Sequence, residues 1–584
     1  MAVLKLIGFV GENPKITPRL LGNSSAQLAY NVRLDDGALT PVRKKRFEYQ
    51  YPSVPLGGYQ SIYKDGVNGW LAWQGNVYAV PGPVANDRLY ITGDGVPKMR
   101  VDGTIYPLAV PFPAGALTAS LTGTPTPGAA GTTRLYVYTY VTSFGEESEP
   151  CPISADVFWT PGQTTTLSGF AAPPAGRAIT LQRIYRAQTG KTGTQLYFIA
   201  ERAASAANFV DNVSPESLQE ALPSLNWNAP PADLTGLIAL PNGMMAAFSG
   251  KKLCFCEPYR PHAWPEAYQL TMDYDIVGLG AFMSSVIVTT KGTPYIVSGT
   301  APENMVSERI EQNLPCINPR GIVDLGYSVA YPSTDGLVQV TSSGAVVATT
   351  TIFSRDDWLR LNPYNMVADQ YNGRYFTSFS YTDLTGIEFR GVFIIDLSGE
   401  QPFLIRTDVQ AEAMYFDLPT GQLYMLFEGS VYEWDSLNEA PALLTWKSKL
   451  FVLPKPTNFG AILVEADSAL SAEQIQAIET EIARLMAANA VLFAQPSIGG
   501  EINGGALGEY ALNGDQLNPI PTLGRSASVS VYADRKLVAT VGALNQMTRL
   551  PSGFLATLWE VEVSADTTIT QITLAGAGQE LVEA

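Results

Sequence analysis

Asp273 and Asp275 stand two residues apart on a stretch that alternates as a strand does, so both carboxylates share one face. Two acids so placed could serve glycoside hydrolysis, but paired acids beside a β-turn are more commonly solvated. Cys254 and Cys256 share a face in the same way, and with His262 and Cys316 they count to four zinc ligands. The competing reading is two small buried hydrophobes on one strand. Glu146, Glu147 and Glu149 could suggest an ion site, yet no calcium-loop spacing accompanies them, and a solvated turn is expected. Ser333-Thr334-Asp335-Gly336 approaches a sialidase Asp box without its spacing or its Trp. There is no GxSxG elbow, phosphate-binding GxxxxGK[ST] loop or HExxH pair, and His262 is the sole histidine. The residues therefore predict no catalytic set, no metal site and no cofactor.

The elements that would position these side chains are short strands. Residues 240–299 contain four apolar runs separated by turn chemistry: Asn242-Gly243, Ser249-Gly250-Lys251, Gly278-Leu279-Gly280 and Lys291-Gly292. Four antiparallel strands in this length are what one blade of a β-propeller requires. The proline-rich middle, Glu257-Pro258-Tyr259-Arg260-Pro261-His262-Ala263-Trp264-Pro265, is a poor strand. Trp264 is expected to cover apolar surface there and His262 to pack beside it.

That middle segment, with Thr290-Lys291-Gly292-Thr293-Pro294-Tyr295 and Ser298-Gly299-Thr300-Ala301-Pro302, resembles the propeller of tail nozzle or hub proteins of short-tailed, podovirus-type bacteriophages. The resemblance continues through Cys316-Ile317-Asn318-Pro319-Arg320-Gly321, Tyr331-Pro332-Ser333-Thr334-Asp335-Gly336-Leu337-Val338 and Phe353-Ser354-Arg355-Asp356-Asp357-Trp358, and spans roughly residues 222–435. It implies a structural ring of six subunits at the distal end of the tail. The ring would contact the tail adaptor ring, anchor fibres or spikes, and let genomic DNA pass without specific binding. It also implies a place in the virion, after synthesis in the host bacterial cytoplasm. A carbohydrate-binding adhesin and a propeller-type glycoside hydrolase are the alternatives.

Composition agrees with an all-β chain. Among 584 residues, 52 are Gly, 41 Pro and 28 Tyr, which suits dense turns and aromatic strands. A length of this order holds two to four domains. Lys and Arg number 37 against 54 Asp and Glu, and the net charge of −17 opposes affinity for a phosphate backbone. Four cysteines make no disulfide framework and suit a reducing compartment. The start, MAVLKLIGFVGENPK, lacks a leader pattern, and no apolar run reaches the length of a membrane span.

The chain in order predicts a propeller with an inserted immunoglobulin or fibronectin III-like sandwich and a C-terminal β-rich nozzle domain carrying one helix. Residues 1–111 hold short strands with turns at 35–37, 74–76 and 93–95, forming the first part of the propeller. Residues 112–221 form the inserted sandwich, entered through an Ala, Thr, Gly and Pro-rich linker. The main propeller resumes over 222–450, with a short helical turn near 355–365. Residues 451–545 form the nozzle-tip domain. Its helix, 471–493, opens on a Ser471/Gln474 capping box, and its apolar stripe is interrupted by Asn489. Packing on its own domain's sheet is expected, with pairing between subunits as the alternative. Residues 546–584 are expected to return and complete the last blade.

Two charged features could mark surfaces. Arg43, Lys44, Lys45 and Arg46 form the one run of four basic residues, either a solvated strand face or a docking patch for assembly. Residues 456–584 hold 5 Lys or Arg against 14 Asp or Glu. Such an acidic wall would repel passing DNA, and Glu501, Glu509 and Asp515, on Gly-rich turns, are the candidate lumen-facing tips.

Overall fold

A computed structural model describes residues 3–66, 69–190, 193–214, 217, 219–382, 386, 388–399, 402–467, 472–494 and 526–581. The chain is all-β in class, built from many small antiparallel sheets. The 276–309 sheet shows the repeating plan: Ile276–Phe282, Ser285–Thr290, Tyr295–Ser298 and Val306–Arg309 pair in chain order. Ser285–Thr290 is β-branched almost throughout and nearly all buried, as an inner strand covered on both faces must be. The same four-strand order recurs at 78–107, 235–271, 323–347 and 368–407.

Two sheets depart from the plan. The three strands of 413–433 are completed by Arg46–Gln50, drawn from the far end of the chain. Ser61–Asp65 pairs only with Gly69–Trp73. The first strand of each sheet lies against the first strand of the next. Tyr78–Pro81 meets Thr235–Ala239, and the contacts pass on through Ile276–Phe282, Val323–Asp324, Ala368–Tyr371, Ala413–Asp417 and Ser61–Asp65. Close approach of these strands explains Gly278 and Gly280. A Cβ on either would sit 2.4 Å from Ile322 Cδ1 or 2.5 Å from Val329 Cγ1.

Between the 78–107 and 235–271 sheets, strands within 118–211 pair only among themselves. Tyr136–Thr142 is buried along its whole length. One side faces a core of Leu117, Leu167 and Phe170, and residues 146–154 run along its open edge. Ser148, Cys151 and Ser154 donate backbone N–H groups to the carbonyls of Tyr140, Tyr138 and Tyr136. Their Oγ and Sγ atoms accept the N–H groups of the same three tyrosines at 3.0, 3.3 and 2.9 Å.

The chain ends build one double layer. Val3–Leu6, Ile569–Ala575, Ala461–Ala466 and Met547–Arg549 form one sheet. Ala26–Tyr30, Leu444–Ser448, Ala556–Ala565, Ala527–Ala533 and Lys536–Val541 form the other, which joins Phe403–Thr407 through Tyr30. Leu6, Phe9, Trp446, Val464, Trp559, Val563 and Ile572 share its core. Within residues 546–584, expected to complete the last blade, the strands Met547–Arg549, Ala556–Ala565 and Ile569–Ala575 instead pair with 444–448, 451–457, 461–466, 527–533 and the N-terminal strand. The 413–433 sheet already has its fourth strand in Arg46–Gln50.

Two α-helices occur among the described residues, Arg355–Arg360 and Ala472–Ala494. The first is capped by Ser354, whose Oγ accepts from Asp357 N at 3.2 Å. The second lies within a residue of the sequence expectation; between 480 and 491, Met486 and Val491 are exposed, Ile482 and Leu485 are half-buried and Asn489 is buried. No described helix is long and apolar enough to cross a membrane.

Candidate functional site

The segments around Trp264, Asn318, Tyr331 and Trp358 are buried in and between sheets. Trp264, 1% exposed, donates from Nε1 to the Pro261 carbonyl at 2.8 Å and from its backbone N to Asn228 at 2.8 Å. It shares a core with Tyr90, Met245, Cys254 and Cys256. Asn318 is buried and donates its amide to the Pro363 and Met366 carbonyls at 3.1 and 2.7 Å, while its Oδ1 accepts from Arg320 N at 3.0 Å. Tyr331 donates its hydroxyl to Leu314 at 2.9 Å, and Trp358 its indole N–H to Ser333 at 2.8 Å. Each bond satisfies a buried polar group; the Trp264 indole is held within its own loop, whereas the amide of Asn318 and the side chains of Tyr331 and Trp358 join the segments that flank the 323–347 sheet to that sheet or to each other.

The zinc reading comes apart in space. Cys254 and Cys256 lie in one core and Cys316 in another, and all four cysteines are free and buried. Burial pushes the thiol of Cys254 up to about 11 and those of Cys256 and Cys316 up to about 12. No group of three potential ligands occurs among the described residues. Asp273 accepts from Tyr295 Oη at 2.9 Å and Arg309 at 3.0 Å, whereas Asp275 pairs with Lys291 at 3.0 Å. Both are exposed, and each carboxylate has its own cation rather than a shared substrate position.

Glu146 and Glu147, expected on a solvated turn, are buried. They sit where the 118–211 module meets the 235–271 sheet, and cations on or just before the strand Ile179–Gly190 neutralise them. Arg177 reaches Glu146 at 2.6 Å, and Arg183 reaches Glu147 at 2.9 Å. Thr139 and Tyr185 hydroxyls complete the Glu147 carboxylate at 2.8 and 2.6 Å. His262 crosses the joint: its Nε2–H donates to the Glu147 carbonyl at 3.1 Å, and its ring meets Trp227 edge-on at 5.7 Å. Burial, with Arg177, Arg260 and Arg88 nearby, holds its imidazole down at about 3. Glu146 Oε1 lies 4.0 Å from Nδ1 and would act the other way, but Arg177 already neutralises that carboxylate. Asn228 donates to Glu149 at 2.8 Å on the same seam. This joint was not legible in the sequence, where only the Glu146-Glu147-Ser148-Glu149 run hinted at anything.

The basic run is not a uniform patch. Arg46 pairs with Glu433 at 2.6 Å and Glu48 at 3.1 Å. Lys45 lies over the Tyr432 ring, 3.9 Å from its centroid. Arg43 is half-buried, and its backbone N donates to Asp435 at 2.7 Å. Lys44 alone is exposed, because strand alternation and the acidic 433–435 stretch take up the others. Glu501, Glu509 and Asp515 lie outside the described residues.

No protein-family model matches this chain, and no curated protein matches it. Among solved structures it is similar to the extracellular domain of a protein described as a hybrid two component system of B. thetaiotaomicron, at 10% identity and a TM-score of 0.21. That match covers 73% of this chain and 56% of the other. A second such domain, described as part of a one component system of B. thetaiotaomicron, matches at 10% identity and a TM-score of 0.20, covering 76% and 85%. Likeness at that level carries no argument about fold or function.

Proposed function

We propose that this chain is a structural component of a short bacteriophage tail, a nozzle ring subunit through which DNA passes during ejection. On this reading the seven small sheets are propeller blades, 112–221 is a fibronectin III-like insertion, and the ends of the chain form the nozzle domain. The observation that carries the reading is the bonding just described: the side chains that bear the resemblance, Trp264, Asn318, Tyr331 and Trp358, are buried and spent on hydrogen bonds within the fold. A hydrolase or adhesin would aim such residues at ligand. The contact order of the first strands fits a ring of blades, with Arg46–Gln50 closing the 413–433 sheet as the outermost strand.

The partners proposed are further copies of this chain, six to a ring, with the adaptor ring above and fibres or spikes beside it. Helix Ala472–Ala494 suits contact between copies, since Met486 and Val491 are presented to solvent. Native mass measurement of the purified protein tests the assembly. Six copies of a 62.9 kDa chain give about 377 kDa, and a monomer under all salt conditions would refute the ring. The channel is tested in assembled particles carrying Glu501→Lys, Glu509→Lys and Asp515→Lys together. Ejection should slow, most at low salt where screening is weak. Ejection at the unaltered rate removes these residues from the lumen.

A further inference from the structure

Two adjoining cavities, of about 370 and 250 Å³, share Gln60, Arg320 and Val367 in their walls. The smaller runs between the first strands of the sheets, past Tyr63, Tyr78, Asp369 and Tyr415. The larger opens beside it against 57–60, 361–367, 378–380, 390–391 and 410–412, parts of the chain that only the fold brings together. Its volume falls within the roughly 300–1,000 Å³ of ligand pockets.

The chemistry of the walls narrows the ligand. The carboxamides of Gln60, Asn362, Asn365 and Gln410 line the larger cavity, and none makes a side-chain hydrogen bond within the described residues. Each offers both a donor and an acceptor. Arg320 is anchored through Nη2, which donates to the carbonyls of Gln60, at 3.1 Å, and Glu412. Its Nε is buried and has no acceptor among the described residues, an uncommon state for a buried N–H. The charged groups lining the larger cavity are Arg320 and Arg390 against Glu412, and its walls are left without a net sign because Arg390 is paired outside the lining. Arg390 is already held by Glu388 through two bonds at 2.8 and 3.0 Å. An anion or cation would find no excess of opposite charge, whereas a hydroxyl, itself donor and acceptor, matches the carboxamides that line the same cavity. Tyr59 and Phe427 supply apolar faces at the rim for C–H surface.

We propose that this cavity is a binding site for an uncharged sugar unit, held through its hydroxyls by Gln60, Asn362, Asn365 and Gln410 with Arg320 donating from the wall. The site is independent of the tail reading and survives its failure. Saturation-transfer NMR on the full chain, with glucose, galactose, mannose and N-acetylglucosamine as separate probes, tests it. At least one sugar should receive transfer, and Gln410→Ala should weaken its binding by at least about tenfold. Ser380→Trp, which fills the cavity, should abolish it. Should Ser380→Trp misfold, Asn365→Ala, at an exposed position, replaces it and should also weaken binding. Four silent sugars, or transfer unchanged in these variants, would overturn the site. Inorganic phosphate or tetramethylammonium binding more tightly than every sugar would overturn the ligand class.

Discussion

His262 gives the chain a titration that can be followed without ambiguity, because it is the sole imidazole. Its folded value of about 3 lies below the roughly 6.5 of an exposed histidine, so between those pH values the unfolded chain takes up a proton that the folded chain refuses. Stability from this group is therefore complete above about pH 6.5 and falls as pH drops, by up to about 1.4 kcal/mol per pH unit. Asp369, raised to about 6 by burial, acts in the opposite sense, favouring the fold as pH falls from about 6 toward 4. The difference between wild type and His262→Gln cancels that contribution. Urea unfolding from pH 7 to 4 should show the variant losing less stability than wild type, and parallel slopes would contradict the buried neutral ring. The basic run makes a second contrast. Lys44→Glu should leave the melting temperature within a degree or so, as an exposed substitution does. Arg46→Glu sets a third carboxylate beside Glu433 and Glu48 and should lower it measurably. Equal effects would mean that the ion pairs contribute nothing.

At the scale of elements, the strands of the 118–211 module pair only with one another, yet the module is fastened to its neighbour by the bonds of His262 to Glu147 and of Asn228 to Glu149, beside the buried Arg177–Glu146 pair. Removing one partner of the buried Arg177–Glu146 pair should cost about 3–5 kcal/mol, because the other charge stays buried. Arg177→Met with Glu146→Leu should cost clearly less than the two single changes added together. A strictly additive double mutant would show that the pair is not coupled. Excision of 112–222 with a short Gly/Ser linker should leave a cooperatively folding remainder, since Tyr78–Pro81 and Thr235–Ala239 already touch, and Leu237 N donates to Thr92 Oγ1 at 3.3 Å. Circular dichroism melts of the excised protein check this, and loss of the β signal would refute it.

Across the whole molecule, the broadest buried core lies where the two ends of the chain meet. Deleting residues 1–50 removes Arg46–Gln50 from the 413–433 sheet, Val3–Leu6 from one terminal sheet and Ala26–Tyr30 from the junction with Phe403–Thr407. This deletion, shorter than the 112–222 excision, should abolish cooperative unfolding or leave the protein insoluble. A soluble truncation with a wild-type melt would show that the ends are ornamental.

The sequence by itself determined the all-β class, because β-branched runs such as 285–290 bounded by Asn-Gly, Ser-Gly and Lys-Gly turns leave little other choice. It also determined that a short helical turn follows Arg355 and that a long helix lies near 471–493, whose Ser471/Gln474 box and 3.6-residue period are local signals. It could not decide which strands pair across hundreds of residues. A period of two fixes which face of a strand is buried but not its neighbour, so Arg46–Gln50 beside Ser430–Glu433 and Val3–Leu6 beside Ile569–Ala575 were settled by packing. Tertiary structure likewise decided the charges. Glu146 and Arg46 look solvent-bound in a local reading and become a buried joint and a strand ion pair because Arg177 and Glu433 arrive from elsewhere in the chain. The cavity beside Arg320 has the same origin: Gln60, Asn362 and Gln410 share no local pattern, and the folded path of the backbone alone makes them neighbours.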